Sequence, residues 1–324
     1  MADKQGKNLI YICTKLFNYS DKLQAEHFEE SLKRIGGISI FMPFRDTDEN
    51  NLKGENRTRL VYDADIERLD SGEIVLLAVL YDGICKDEGI SFEIGYAYGK
   101  GIPIFIVNTD FIWYAMRKEE FLFDPVIACM CADYVHHYKI DDNITFRQAL
   151  LSGQKHAFDV AADKIGNILR YGIDKSKYQS NLTRKCDVFV DFGGGKYEYQ
   201  REYALWLKNE LCKFDISVEI ADRYSDDNLL SNYQKGLRDI ERLLGSQYYV
   251  WLGDEAELNS GTAALLGLAR CNGIKTILYE SSNVEIHGEN GHRMKKNLII
   301  DFSIDKVAKT KHQIIDILLE EKNV

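Results

Sequence analysis

At 324 residues, with 45% hydrophobic and 28% charged side chains, the chain is long enough for about two domains and has the composition of a soluble globular protein. Lys and Arg total 41 against 51 Asp and Glu, giving a net charge of −10 and a pI near 5.3. That balance argues against a general nucleic-acid or anionic-membrane binder, which needs clustered positive charge, and leaves a small nucleoside open as a ligand.

The first strand is expected at 8–13 (NLIYIC), followed by a helix with Ser20 as its N-cap. Ala25, Phe28, Leu32 and Ile35 give that helix a three-and-four apolar spacing, and Gly36-Gly37 ends it. A second strand follows at 38–43 and then a charged loop at 45–59. Beyond the loop come a helix over 61–69, a buried strand over 74–80, a helix over 91–99 and a strand over 102–107. Strands without polar alternation, separated by helices, predict a parallel sheet covered on both faces. A long amphipathic helix at 144–171 closes this first domain, assigned to 1–172.

Residues 173–185 are polar and read as a linker, and the pattern restarts over 186–324. Strands are expected at 186–192, 216–220, 248–253 and 275–280, with helices at 203–214 and 261–271. The pentapeptide DIERL occurs at 65–69 and again at 239–243. Downstream, Gly89, Gly95, Ala97 and Gly101 pair with Gly261, Gly267, Ala269 and Gly273 at a constant offset of 172. The reading is an α/β chain of two parallel-sheet sandwich domains related by internal duplication.

The N-terminus, MADKQGKNLI, lacks the apolar core of a signal peptide, and no apolar run approaches the ~20 residues that span a bilayer. Seven scattered cysteines, mostly in apolar stretches, read as reduced core thiols. A cytoplasmic protein with neither nucleic-acid nor membrane partners is therefore expected.

Chemistry concentrates in DEGISFEIGYAYGKGIP (87–103), which follows a buried strand. In an open α/β sheet the carboxyl ends of the strands form the ligand crevice. Glu93 is expected in the first turn of the next helix, reachable by solvent, where the helix end favours its ionised form. An exposed first-turn glutamate is also a favoured placement for stability alone.

Tyr11 in YICTKLF (11–17), Asp65 in YDADIERL, and Asp87 with Glu93 in D-x-G-x-x-x-E-x-G-Y-A together resemble the nucleoside 2-deoxyribosyltransferase family over roughly residues 8–107. The resemblance implies a flavodoxin-like sandwich that exchanges the base of a 2′-deoxynucleoside without cofactor or metal. It makes Glu93 the nucleophile that attacks the anomeric carbon. Asp65 and Asp87 become the carboxylates that hold and protonate the departing base, and Tyr11 the positioning hydroxyl. Gly89 and Phe17 fall with the substrate-binding residues. One nucleophilic carboxylate with an oxocarbenium-like transition state suits retaining glycoside chemistry. Relatives that hydrolyse nucleotides tend to carry Ser where Asp87 stands, and a carboxylate there repels a 5′-phosphate. An unphosphorylated nucleoside and a free base are the expected substrates. Hydrolysis of the same bond, or a nucleotide-sensing module with a TIR-like second half, are the alternatives.

The second half departs at each chemical position: Leu265 stands for Glu93, Asn259 for Asp87 and Phe189 for Tyr11. Family members commonly borrow an Asn from a neighbouring subunit. Here Asn297, in KKNLIIDF (295–302), has that context, whereas Asp124 occupies the matching place in FDPVIA (123–128). The two halves are thus expected to form an intrachain pseudo-dimer with one working site; further homo-oligomerisation is left open. The alternative reading of Asn297 is a surface residue before a strand.

Three weaker signals remain. GGGK (193–196) follows a strand, but Tyr197 replaces the Ser/Thr of a P-loop and the glycine spacing also fails, so a strand–helix turn is favoured over phosphate binding. Cys129, Cys131, His136 and His137 cluster in sequence, but adjacent histidines on a strand face opposite ways, so core cysteines are favoured over a metal site. Trp113, Tyr114 and Met116 suit either a site wall or an apolar helix face.

Overall fold

The computed structural model describes residues 8–15, 18–47, 57–81, 87–108, 123–136, 146–173, 185–193, 198–223, 230–254, 258–281, 286–287, 293–294 and 297–322. In chain order the first elements are β1 (Asn8–Cys13), α1 (Tyr19–Leu32), β2 (Ile38–Phe41), α2 (Pro43–Asp46), α3 (Arg57–Asp70), β3 (Ile74–Tyr81) and α4 (Glu88–Gly99). β4 (Ile104–Asn108), α5 (Pro125–Met130), β5 (Asp133–His136) and α6 (Phe146–Tyr171) follow. The later residues form β6 (Val188–Asp191), α7 (Glu198–Cys212), β7 (Val218–Ile220), α8 (Asn232–Leu244), β8 (Tyr248–Leu252), α9 (Ser260–Cys271) and β9 (Lys275–Tyr279). The chain ends with a short hairpin of β10 (Ile286–His287) and β11 (Arg293–Met294), then α10 (Leu298–Asp301), β12 (Lys306–Ala308) and α11 (Lys311–Lys322).

These elements fall into two compact units. One comprises Met1–Ile90, Lys100–Leu122 and Met130–Tyr178; the other Ser91–Gly99, Phe123–Cys129 and Gln179–Val324. The first unit holds a sheet of order β2-β1-β3-β4-β5, every pairing parallel. The second holds a sheet of order β7-β6-β8-β9-β12, again parallel throughout. Renumbered from its own first strand, the second order repeats the first: 2-1-3-4-5, the flavodoxin-like arrangement. Both sheets are thus the α/β sandwiches the alternating apolar runs predict.

In the first unit, Ile10, Ile12, Leu76, Ala78, Phe105 and Val107 point to one face and pack with Ala25, Phe28 and Leu32 of α1 and Phe158, Ala161 and Ile165 of α6. The period of two along a strand sends Tyr11 to the opposite face. There its ring lies 5.2 Å from that of Phe41, over which α3 lays the Arg68 guanidinium.

Two local expectations are corrected. The N-cap of α1 is Asn18 rather than Ser20: its Oδ1 accepts the Asp21 amide and also the Ser20 hydroxyl, so helix begins at Tyr19. Asn accepts the orphan amide as well as Ser does, and it lies two residues earlier. Cys13, Cys129, Cys131 and Cys186 are buried free thiols, but Cys212 is exposed on the last turn of α7. Gly36 and Gly37 stop the first helix as expected, with φ of 68° and 66° that only glycine adopts without strain. No helix among the described residues is long and apolar enough to cross a membrane.

Candidate active site

Asp87 is the residue from which the site is built. Its Oδ1 accepts the Ile90 amide at 3.0 Å, and the Gly89 amide also favours its charged form, so Asp87 caps α4. Burial nonetheless dominates and raises its pKa, against these amides and Lys15, while Asp21 raises it further. A carboxyl group held toward its neutral form is one that can give a proton.

With Asp87 as cap, helix begins at Glu88, three residues before the position the sequence pattern suggests. Glu93 therefore stands in the second turn, and Glu88 is the acid of the first. Since the helix dipole acts within the first turn, it bears on Asp87 and Glu88 rather than on Glu93. Nor is Glu93 an exposed glutamate: it is 9% exposed, between the buried Phe92 and Ile94. That burial sets it apart from the solvated first-turn glutamate of the alternative reading.

The rest of α4 explains the burial. Ile90, Ser91, Phe92, Ile94, Tyr96, Ala97 and Tyr98 are all buried, so the helix is covered all round rather than on one stripe. Within the second unit it meets α9 through backbone. A Cβ on Gly95 would lie 1.7 Å from the Ala264 carbonyl oxygen, and one on Gly267 would lie 2.0 Å from the Phe92 carbonyl oxygen. At the offset of 172, Gly95 corresponds to Gly267 and Phe92 to Ala264, so the two close approaches are reciprocal.

Of the other expected site residues, Tyr11 is fully buried on β1 and Asp65 half-buried on α3. Gly89 is in the first turn of α4, beside Asp87 and one turn from Glu93. Phe17, Trp113, Tyr114, Met116, His137 and residues 194–196 of GGGK lie outside the described residues. Asn297 precedes a helix, not a strand: its Oδ1 accepts the Ile299 amide at 3.0 Å and caps α10. Asp124 does the same for α5, accepting the Val126 amide at 2.9 Å. Cys129 donates to the Tyr233 carbonyl and Cys131 to that of Asp133, and no cluster of metal-ligating side chains occurs among the described residues.

The second unit contains a polar cluster that the sequence reading did not single out. Arg223 is buried with both terminal nitrogens engaged: Nη2 reaches Asp191 at 2.9 Å and Thr262 at 2.7 Å, and Nη1 reaches Asp239 at 3.1 Å. The Tyr249 hydroxyl donates to Asp191 at 2.8 Å. Burial pushes the Asp239 carboxyl up to about 6 against the pull of Arg223. The guanidinium thus sits at the carboxyl end of β6, where an open α/β sheet would bind a ligand. The acid that ends the apolar run VFVD and the repeated DIERL aspartate were the available signals. Asn259, at the place of Asp87, caps α9 through the Gly261 amide at 2.9 Å, while Leu265, at the place of Glu93, is a buried apolar side chain.

Residues 10–143 match the family model described as nucleoside 2-deoxyribosyltransferase. A solved structure described as a 2-deoxyribosyltransferase of the psychrotolerant bacterium Bacillus psychrosaccharolyticus is 17% identical, covering 44% of this chain and 95% of its own, at a TM-score of 0.32. No curated protein sequence matches the chain significantly.

Proposed function

We propose, from the premise that residues 10–143 belong to the nucleoside 2-deoxyribosyltransferase family, that the chain transfers a 2-deoxyribosyl group between nucleobases through Glu93. The observation that supports this most directly is the pairing on one helix of a buried glutamate with a capping aspartate whose pKa is raised by burial.

In the proposed first step a Glu93 carboxylate oxygen attacks the anomeric carbon of the donor nucleoside. The bond to the base nitrogen breaks, its electron pair leaves with the base, and the Asp87 carboxyl supplies the proton. The product is a deoxyribosyl ester of Glu93. A nitrogen of the acceptor base then attacks the same carbon, releases Glu93 and returns the proton to Asp87. Two inversions leave the configuration retained. Asp65 shares the holding of the base, Tyr11 orients the nucleophile, and Gly89 leaves room for the sugar beside the helix start. The free nucleobase and an unphosphorylated nucleoside remain the substrates, with no metal or cofactor assigned a step.

We infer further that the chain arose by duplication and carries one working site. The repeated strand order, the reciprocal Gly95 and Gly267 approaches and the two Asx caps at Asp124 and Asn297 support that reading. Leu265 cannot form an ester, and the buried Arg223 is paired with Asp191 at the carboxyl end of β6. Asn297 is proposed to serve the Glu93 site by hydrogen bonding to the sugar hydroxyls.

The test incubates the protein with a deoxynucleoside and a different free base and separates the products chromatographically. A new nucleoside is expected; free deoxyribose instead means that water resolves the ester, and no change favours a sensing module. With a slow 2-fluoro-deoxyribosyl donor, mass spectrometry should place the label on Glu93. Glu93→Gln should abolish turnover with folding intact. Label on another residue, or substantial activity in Glu93→Ala, overturns the mechanism.

A further inference from the structure

We infer that Gly267, on α9, is a positioning residue for Glu93, an inference that rests on the proposed role of Glu93 as nucleophile. The carbonyl oxygen that Gly267 faces belongs to the peptide bond joining Phe92 to Glu93. A Cβ at position 267 would lie 2.0 Å from that oxygen, 2.9 Å from the Phe92 carbonyl carbon and 2.9 Å from the Tyr96 nitrogen. The Phe92 carbonyl and the Tyr96 amide are the i and i+4 partners of the α-helical turn that contains Glu93. Gly267 therefore abuts the backbone hydrogen bond that fixes the nucleophile's turn.

The groups it meets are backbone, with no flexible side chain able to swing aside. Ordinary van der Waals contact for a Cβ begins near 3.4 Å, so an alanine must push the turn away by more than 1 Å or break its hydrogen bond. A displacement of about 1 Å at a reacting group costs on the order of 100-fold in rate. The stripe that meets α9 runs along Phe92, Gly95 and Gly99, and Glu93 projects from the neighbouring position about 100° around the helix. Close backbone packing on one side thus fixes where the Glu93 side chain starts. The motif E-x-G-Y-A puts the reciprocal glycine, Gly95, two residues after the nucleophile, so both sides of the crossing are set within one turn of it.

The experiment compares Gly267→Ala with Gly236→Ala in the full-length protein. Gly236 is an equally severe backbone approach in the same unit, its Cβ falling 2.2 Å from the Pro125 carbonyl oxygen, but it does not touch the turn of Glu93. Each variant is read for thermal stability, for kcat and KM of base exchange, and for hydrogen exchange of the Tyr96 amide. Both variants should lose stability. Gly267→Ala alone should lose about 100-fold in kcat with KM within a few-fold of wild type, and alone should lose Tyr96 protection beyond that of the rest of α4. Wild-type kcat in Gly267→Ala, or equal loss of kcat and Tyr96 protection in both variants, overturns the inference. If the wild-type protein performs no base exchange, the catalytic reading fails, and Tyr96 protection still decides whether Gly267 sets this turn.

Discussion

The carboxylate of Asp124 occupies the space a side chain on Gly261 would need: a Cβ there would lie 2.2 Å from Oδ1 and 2.8 Å from Oδ2. Gly261 is in the first turn of α9, next to its cap Asn259, so the acid is held against the start of the helix that lacks a nucleophile. The same carboxylate caps α5 through the Val126 amide. One side chain therefore ties two helices of the second unit together.

Gly261→Ala should destabilise the protein by about 1–3 kcal/mol, the usual cost of overpacking. Asp124→Ala removes the cap of α5 and should cost about 1 kcal/mol. The double variant should cost less than the sum, because shortening residue 124 vacates the space that the new methyl group needs. Denaturant titration of all four proteins checks this, and strict additivity would show that the contact is not the source of the loss.

Asp87 predicts a pH dependence. Its carboxyl pKa is raised by burial, and in the proposed mechanism this group donates its proton as the base departs, so kcat should fall as pH climbs through that raised pKa. Lys15 acts the other way and favours the carboxylate. Lys15→Met should therefore move the falling limb to higher pH, and Asp87→Asn should remove the limb while lowering kcat overall. The loss in Asp87→Asn should shrink for a donor whose base leaves easily. The same comparison applies to Asp65→Asn. Equal losses for good and poor leaving groups would reduce either residue to a structural role.

Both sheets were legible because their strands are unbroken apolar runs, and IVLLAVL and YYVWL can only be covered on two faces. The candidate site was legible as a set of residue types but not in its geometry. The helix starts three residues before the apolar periodicity shows it because Asp87, a chemical group by type, also serves as its N-cap, and that shift puts Glu93 in the second turn rather than the first. Its burial follows from a helix covered all round, which a single strand–helix pattern does not reveal. The Arg223 cluster was hidden for a different reason. Asp191, Arg223, Asp239, Tyr249 and Thr262 span more than 70 residues and meet only through tertiary packing.

That cluster supports a prediction about stability. Arg223 serves two buried carboxylates, and burial together with Asp191 raises Asp239 to about 6, outweighing Arg223 and the Asp222 amide. An ordinary aspartate in the unfolded chain titrates near 3.8. Between those values the folded protein holds a proton that the unfolded chain has released, so protonation favours the folded state. The contribution is complete below about pH 4 and is lost as pH rises through about 6, a change on the order of 2–3 kcal/mol. Asp239→Asn keeps the shape and removes the titration. The variant should be less stable overall, because an amide cannot balance Arg223, but its stability should change less than that of wild type between pH 4 and pH 7. Arg223→Met leaves two uncompensated buried carboxylates and should cost about 3–5 kcal/mol at pH 7, with part of the loss recovered near pH 5 as one carboxylate takes up a proton. Denaturant unfolding followed across that pH range separates the two effects. A wild-type slope retained in Asp239→Asn would assign the proton to another group, and an Arg223→Met variant as stable as wild type at pH 7 would mean that water, not the guanidinium, satisfies the acids.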